Sequence, residues 1–209
     1  NEEEYEDYEV PRAAEYNFES LTVTIPKGQR SADVKITVNA ENYLNERFAI
    51  PLRIVSVSPE VTYSANYRTL VTTVSVKNKY DGVYLLSGYH NRPTLDFPYE
   101  EVEMHLVTVN ENTVACYFVG GGDFGHPIGT GPGAISWYGN TLAPAFVFDL
   151  ATNKVVRAYN YGGATVVALY TDATGPGAME NSYDPETKTL KVSSYYGGNP
   201  QRAFFDTFV

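Results

Sequence analysis

The chain has 209 residues, 43% of them hydrophobic, and a formal net charge of −10. That length and apolar fraction suffice for one large or two small domains with a real core, so disorder is not the expected state. No Lys/Arg cluster offsets the acidic balance, which repels phosphate backbones and argues against nucleic-acid binding, and no apolar run approaches the roughly 18 residues of a membrane-spanning helix.

Residues 1–15 read as a flexible acidic leader. Glu2, Glu3, Glu4, Glu6, Asp7 and Glu9 crowd around Tyr5 and Tyr8, and like charges at that density resist burial. Without those six carboxylates, 19 acids face 15 bases, so the body is only mildly acidic. Leu21, Val23 and Ile25 alternate with Thr22 and Thr24, the period of a half-buried strand, and Pro26-Lys27-Gly28 follows as a turn. Val34, Ile36 and Val38 form the next strand face, and Asn39 to Asn45 a loop or one helical turn. Phe48, Ile50, Leu52 and Ile54 alternate again, Pro51 being tolerable near an edge or bulge because it cannot donate to a ladder. Leu70 to Val76 completes the set. Short strands with turn signals and no helical period predict an immunoglobulin-like antiparallel sandwich over residues 16–77, with one strand hidden in the leader or the front of the domain absent.

The charged stretch Val76 to Tyr84 reads as a junction. Beyond it, in a domain over residues 78–209, strands are expected at Val83–His90, Glu101–Val109, Thr113–Val119, Ala134–Tyr138, Ala145–Asp149, Val155–Tyr159, Thr165–Thr171, Leu190–Tyr196 and Ala203–Val209. Glu101, Glu103 and His105 alternate with Val102, Met104 and Leu106, giving one wet and one packed face. The chain is therefore expected to be all-β, its second part a lipocalin-like barrel or curved antiparallel meander, which limits exposed edges. Phe148 to Val155 and Tyr183 to Leu190 each place an aromatic, an Asp and a later Thr in the same order, the pattern of a tight hairpin turn closed by the Asp carboxylate.

Gly120 to Gly133 is too glycine-rich for a regular strand, lacks the Gly-Lys-Ser/Thr of a phosphate loop and precedes no helix, so nucleotide binding is rejected. It is expected to connect strands or to shape a binding mouth. The chain holds 18 Tyr, 10 Phe and one Trp. Exposed aromatic faces stack on sugar rings while Asn, Asp, His and backbone groups bond hydroxyls. Trp137, Tyr138, Phe124, Tyr161, Tyr170, Tyr195 and Tyr196, with His126, Asp123, Asn140 and Asn160, are the candidate ligand-binding residues. Cys116 reads as a buried, inert thiol. His90, His105 and His126 share no metal-ligand spacing, so neither metal nor cofactor is expected. Ser136 lacks a nucleophile elbow. Glu100, Glu101, Glu103 and Asp123 read as solvated acids, and a glycoside hydrolase would need two of them facing each other in one cleft.

The string from Lys79 to Arg92, with Lys79-Tyr80-Asp81-Gly82-Val83-Tyr84-Leu85-Leu86 at its start, resembles the second domain of a two-domain surface lipoprotein family of Bacteroidetes-type gut bacteria. Thr24-Ile25-Pro26-Lys27-Gly28-Gln29, Tyr43-Leu44 and Ala49-Ile50-Pro51-Leu52-Arg53-Ile54 are similar to the immunoglobulin-like amino-terminal domain of those proteins. Asn199 to Asp206 resembles their closing strand. Both domains are of unknown function, and the resemblance carries over no catalytic or binding residue. It implies a lipid-anchored place on the outer-membrane surface, near glycan utilisation, although the lipidated cysteine and the usual first strand are not visible in this chain.

The function these features predict is noncatalytic binding of a glycan or related nutrient at the cell surface. The alternatives are a structural or partner-docking module of an outer-membrane surface complex and a lipocalin-like carrier of one small ligand. Partners are expected to be glycan or another small nutrient, no nucleic acid, and the membrane only through a lipid anchor absent from this chain.

Overall fold

A computed structural model describes residues 8–39, 43, 48–94, 97–172 and 180–209. It divides into two compact units, Asn1–Val76 and Lys77–Val209. Both are built from antiparallel strands, so the chain is all-β as the alternation of its residues predicts.

In the first unit β1 (Tyr16–Phe18) pairs β2 (Ile36–Val38), and β3 (Phe48–Arg53) pairs β4 (Thr69–Val74). Tyr43, Phe48, Ala49 and Ile50 are buried, with the Tyr43 and Phe48 rings 4.6 Å apart edge to face. The Tyr43 hydroxyl donates to the Glu15 carbonyl at 3.4 Å. Of the leader, residues 1–7 lie outside the described residues, as does most of the loop expected at Asn39 to Asn45. Glu9 bridges Phe48 and accepts from the Ala49 amide at 2.9 Å.

The strand expected at Leu21 to Ile25 does not form. The Ser20 hydroxyl accepts from the Thr22 amide at 3.0 Å and donates to the Thr22 carbonyl at 2.7 Å. Such a local side-chain bond competes with ladder pairing, and Ile36–Val38 takes Tyr16–Phe18 as its partner instead.

The second unit is one large sheet. Its strands are β5 (Gly82–Asn91), β6 (Phe97–Asn110), β7 (Thr113–Phe118), β8 (Asp123–Phe124), β11 (Pro144–Phe148), β12 (Val155–Asn160), β13 (Val167–Leu169), β14 (Ser182–Asp184), β15 (Thr189–Tyr196) and β16 (Asn199–Phe208); a separate hairpin is made by β9 (Pro127–Gly131) and β10 (Ala134–Trp137). The main path runs β12-β11-β7-β6-β5-β16-β15-β13, with β14 on β15 and β8 on β7. The path nearly closes into a barrel. The Val155 amide donates to the Asn181 carbonyl at 2.7 Å and the Tyr183 amide to the Asn153 carbonyl at 2.9 Å, joining the start of β12 to β14.

Inward residues follow from the period of two. On β6, Val102, Met104 and Leu106 are buried while Glu101 and Glu103 face solvent. The same rule drives Phe146, Phe148, Phe204 and Phe208 into the core, where large rings leave it filled by side chains. Phe205, one residue out of phase, packs outside with Tyr170 and Ala203. Cys116 is fully buried in the inner cluster, and desolvation followed by the charge of Asp206 raises its thiol well above the ordinary range.

The two Asp turns close as their residue order predicts. Asp149 Oδ1 accepts from the amides of Ala151 and Thr152 at 2.8 and 3.1 Å, while Asp184 accepts from the Glu186 amide and the Thr187 hydroxyl, both at 2.9 Å. The junction segment belongs to the barrel. Asn78 Nδ2 donates to the carbonyls of Asn110 and Thr113 at 2.8 and 2.9 Å, and Tyr80 stacks on Phe148 with ring centres 3.7 Å apart. Burial, then the charge of Asp149, pushes the Tyr80 phenol to about 12.

Candidate functional site

One end of the barrel gathers the ends of β5, β7, β12 and β15 and the starts of β6, β11, β13 and β16, and the β9–β10 hairpin lies across it. The hairpin is the glycine-rich stretch. Its turn at Pro132-Gly133 needs the positive φ of 67° at Gly133, which glycine adopts without strain.

Other glycines permit close approach. A Cβ at Gly121 or Gly125 would stand 2.6 Å from the Trp137 ring, and one at Gly129 would stand 2.4 Å from the Phe97 carbonyl oxygen. The glycines thus make room for an indole and for a neighbouring strand, which is how so glycine-rich a segment becomes an ordered hairpin. Trp137 is half-buried, with Phe118 edge to face at 5.6 Å.

The hairpin carries His126 and Ile128 into the barrel, where both are buried. His126 Nδ1 lies 2.7 Å from the Pro127 carbonyl and must donate to it, while Nε2 lies 3.1 Å from Asp206 Oδ2. A proton therefore sits between Nε2 and Oδ2, whichever of the two carries it. The Tyr99 hydroxyl donates to Asp206 Oδ1. Desolvation, then Asp206, holds that phenol well above its ordinary range, so it stays a donor. Tyr99, His126 and Asp206 form a satisfied polar network inside an apolar core, which specifies packing.

A second buried histidine leads outward. His90 is fully buried, and its Nε2 meets the Tyr196 hydroxyl at 2.9 Å. Its ring stacks on Phe204 with centres 5.0 Å apart, and the His126 ring lies over the same Phe204 at 4.2 Å. Desolvation first, then the His126 and Arg92 charges, pulls His90 down to about 4, so the ring is neutral near pH 7.

Tyr196 in turn lies in the wall of a cavity of about 600 Å³ lined by Arg92, Tyr138, Thr141, Leu142, Ala164, Thr165, Val166, Tyr196, Gly197 and Arg202. Arg92 Nη1 donates to the Tyr138 hydroxyl, and the Thr141 hydroxyl donates to the Tyr138 carbonyl, fixing the turn that presents the Tyr138 ring. Asn160 braces the same turn. Its Nδ2 donates to the Thr141 carbonyl at 2.9 Å and its Oδ1 accepts from the Ala143 amide at 2.7 Å.

Of the candidate residues, this cavity brings together Tyr138 and Tyr196. Trp137 and His126 serve the hairpin beside it. Phe124 packs on Tyr161 at 4.7 Å and Tyr117 at 5.5 Å, a separate cluster. Asp123 accepts from the Phe124 amide at 2.7 Å, closing its own turn. Asn140 is exposed in the turn after Tyr138. Tyr195 points away from Tyr196 by the strand period and packs with Tyr170 on the outer face. Arg92, Arg202 and the threonines were not singled out from sequence. Their only signal was position, at the ends of strands that converge on one rim.

Glu100, Glu101 and Glu103 are exposed on β6. Among the described residues no group of three or more His, Cys, Asp or Glu is placed to hold a metal ion, and no helix is long and apolar enough to cross a membrane.

The class defined by this geometry is an all-β protein in which a nearly closed antiparallel barrel carries a polar and aromatic cavity at one mouth. A family model described as "-like, N-terminal domain" matches residues 1–61. No curated protein matches the sequence. A Bacteroides ovatus crystal structure of unknown function is similar in fold, with a TM-score of 0.53 and 14% identity over 95% of this chain and 70% of that one. Two further Bacteroides ovatus structures of unknown function align with TM-scores of 0.38 and 0.37, at 16% and 14% identity, covering 96% and 97% of this chain and 68% of each of theirs. The first of these structures supports the fold.

Proposed function

We propose that the chain is a noncatalytic binding protein of the cell surface, and that it holds a glycan or related nutrient at the barrel mouth. The observation that carries this reading is the cavity of about 600 Å³ between Tyr138 and Tyr196. Small-ligand sites typically measure about 300–1,000 Å³ and mix aromatic walls with a few placed polar groups. Tyr138 offers a partly exposed ring, Leu142 and Val166 apolar surface, and Thr165 a hydroxyl for sugar oxygens. None of the described lining residues is Asp, Glu, His or Cys, which supports a noncatalytic reading. The filled core favours binding at the mouth over carriage inside the barrel. A surface location, with lipid anchoring, rests on the resemblance of Lys79 to Arg92 and Asn199 to Asp206 to surface lipoproteins.

The docking reading is favoured by a different observation. Leu21, Val55, Val61 and Tyr67 of the first unit are exposed, and a docking surface would join such residues in one contiguous patch.

The test is calorimetric titration of soluble oligosaccharides, with Trp137 fluorescence as a parallel readout because the lone indole precedes Tyr138. Saturable binding of one glycan class that is lost in Tyr138→Ala is the expected result. Heat that survives Tyr138→Ala unchanged, or no heat with any glycan, would move the search to protein partners of the first unit.

A further inference from the structure

The mouth cavity carries a charge that the rest of the chain does not. Acids outnumber bases 25 to 15 overall, yet the described residues lining the cavity include Arg92 and Arg202 and no carboxylate. Ion pairs join Lys35 to Glu19 at 3.4 Å and Lys77 to Asp81 at 3.0 Å. Among the described residues neither cavity arginine enters an ion pair with an acid.

Strand register explains how the two meet. Ala203 of β16 stands opposite Asn91 of β5, and the next residues outward along that ladder are Arg202 and Arg92. Like charges placed opposite each other destabilise an antiparallel pair. An anion between them reverses the sign of that interaction.

The fields of both guanidinium groups converge on one atom of the cavity wall. Burial and the Tyr138 hydroxyl raise the Tyr196 phenol above its ordinary range, while Arg92 and Arg202 both pull it back. Arg92 is held by its bond to the Tyr138 hydroxyl, which among the described residues leaves most of its five donors for a ligand.

We propose that the cavity recognises an acidic sugar, its carboxylate gripped by Arg92 and Arg202 while the ring rests on Tyr138. This rests on the binding reading above and narrows it to a substrate class. A planar carboxylate matches the guanidinium fork in two parallel bonds, and Thr165 is left for ring hydroxyls. A sulfate ester is a second source of the same oxyanion chemistry, and the experiment separates the two.

The full chain is titrated calorimetrically with trisaccharides of galacturonate, glucuronate and mannuronate, with their methyl esters, and with sulfated and unsulfated galactotriose. One uronate is expected to bind about tenfold or more tighter than its own ester, the scale of one charge-assisted bond pair. That preference should shrink to about twofold in Arg202→Ala and be partly kept in Arg202→Lys. Arg92→Gln, which retains a donor toward Tyr138, should shrink it likewise. Because Arg202 is exposed, Arg202→Ala is expected to keep or raise the thermal midpoint, which separates lost recognition from lost folding. Esters and acids binding alike would overturn this inference and leave the binding reading standing. Acid preference that persists in both arginine variants, or sulfate bound more tightly than any uronate, would also overturn it. No binding of any sugar would sink both.

Discussion

On β6 of the barrel, Val102, Met104 and Leu106 are buried, Met104 and Leu106 completely. In the first unit Leu21, Val23 and Ile25 alternate just as regularly, yet they are 87%, 41% and 56% exposed. Alternation chooses a face for each side chain. Burial requires neighbouring strands that hold that face against a core. In the barrel β6 pairs β5 over Phe97–Leu106 and β7 over Met104–Asn110, whereas the Ser20 side chain ties up the backbone at Thr22 and Ile36–Val38 is paired elsewhere. The difference predicts that equal-looking substitutions in the two regions have very unequal consequences.

The largest effect is expected inside the barrel. Asp206→Ala leaves His126 Nε2 and the Tyr99 hydroxyl without their fully buried partner. Removing one member of such a pair costs about 3–5 kcal/mol. Denaturant unfolding followed by Trp137 fluorescence, which reports on the barrel alone, checks this; a loss under about 1 kcal/mol would mean that water enters the core to replace the carboxylate.

Next comes a pH effect confined to the same core. His90 titrates at about 4 in the fold against an ordinary 6.5. Above pH 6.5 both folded and unfolded chains carry it neutral and its contribution is complete. As pH falls from 6.5 to 4 the unfolded chain takes up the proton first, so stability declines, by about 3 kcal/mol from this group. Asp81 lies below its ordinary 3.8 because hydrogen bonds from the Thr108 backbone and from Lys77 outweigh its desolvation, so its contribution is lost only at still lower pH. His90→Phe, which keeps a ring against Phe204, should flatten the stability curve between pH 4 and 6.5. An unchanged slope would assign it to other groups.

Much of this architecture was legible in the residues. The alternation on β6 and the Asp149 and Asp184 turns are local patterns with local causes. The glycine-rich hairpin was not, because what Gly121 and Gly125 allow is the approach of Trp137, a residue of the other arm. The cavity was legible only in part. Tyr138 and Tyr196 stand out as aromatic residues near turns, but Arg92 and Arg202 are separated by most of the second unit and meet through β5–β16 register, which no sequence spacing encodes.

Gly125→Ala tests that hairpin and should have a middling effect. Its Cβ would fall 2.6 Å from the Trp137 ring and 3.1 Å from the Gly139 carbonyl. Forcing the indole aside costs about 1–3 kcal/mol, as overpacking does elsewhere. The Trp137 emission maximum should shift to longer wavelength as the ring becomes wetter, and sugar binding at the adjacent Tyr138 should weaken. An unshifted emission maximum would mean that the hairpin backbone yields instead of the ring.

The smallest effect is expected at Leu21. A side chain 87% exposed has almost no burial to lose, so Leu21→Ser should change stability by less than about 0.5 kcal/mol, measured by scanning calorimetry of the full chain at two protein concentrations. On β6 the comparable change Leu106→Ser removes a fully buried side chain, and large-to-small substitution there costs about 2–5 kcal/mol before the stranded hydroxyl adds its own penalty. The contrast between these two leucines is the sharpest form of the comparison. Should Leu21→Ser instead cost as much as a core change, and the cost grow with protein concentration, then Leu21 is covered in solution by a second chain, and the exposed alternation at Leu21 to Ile25 is half of an interface.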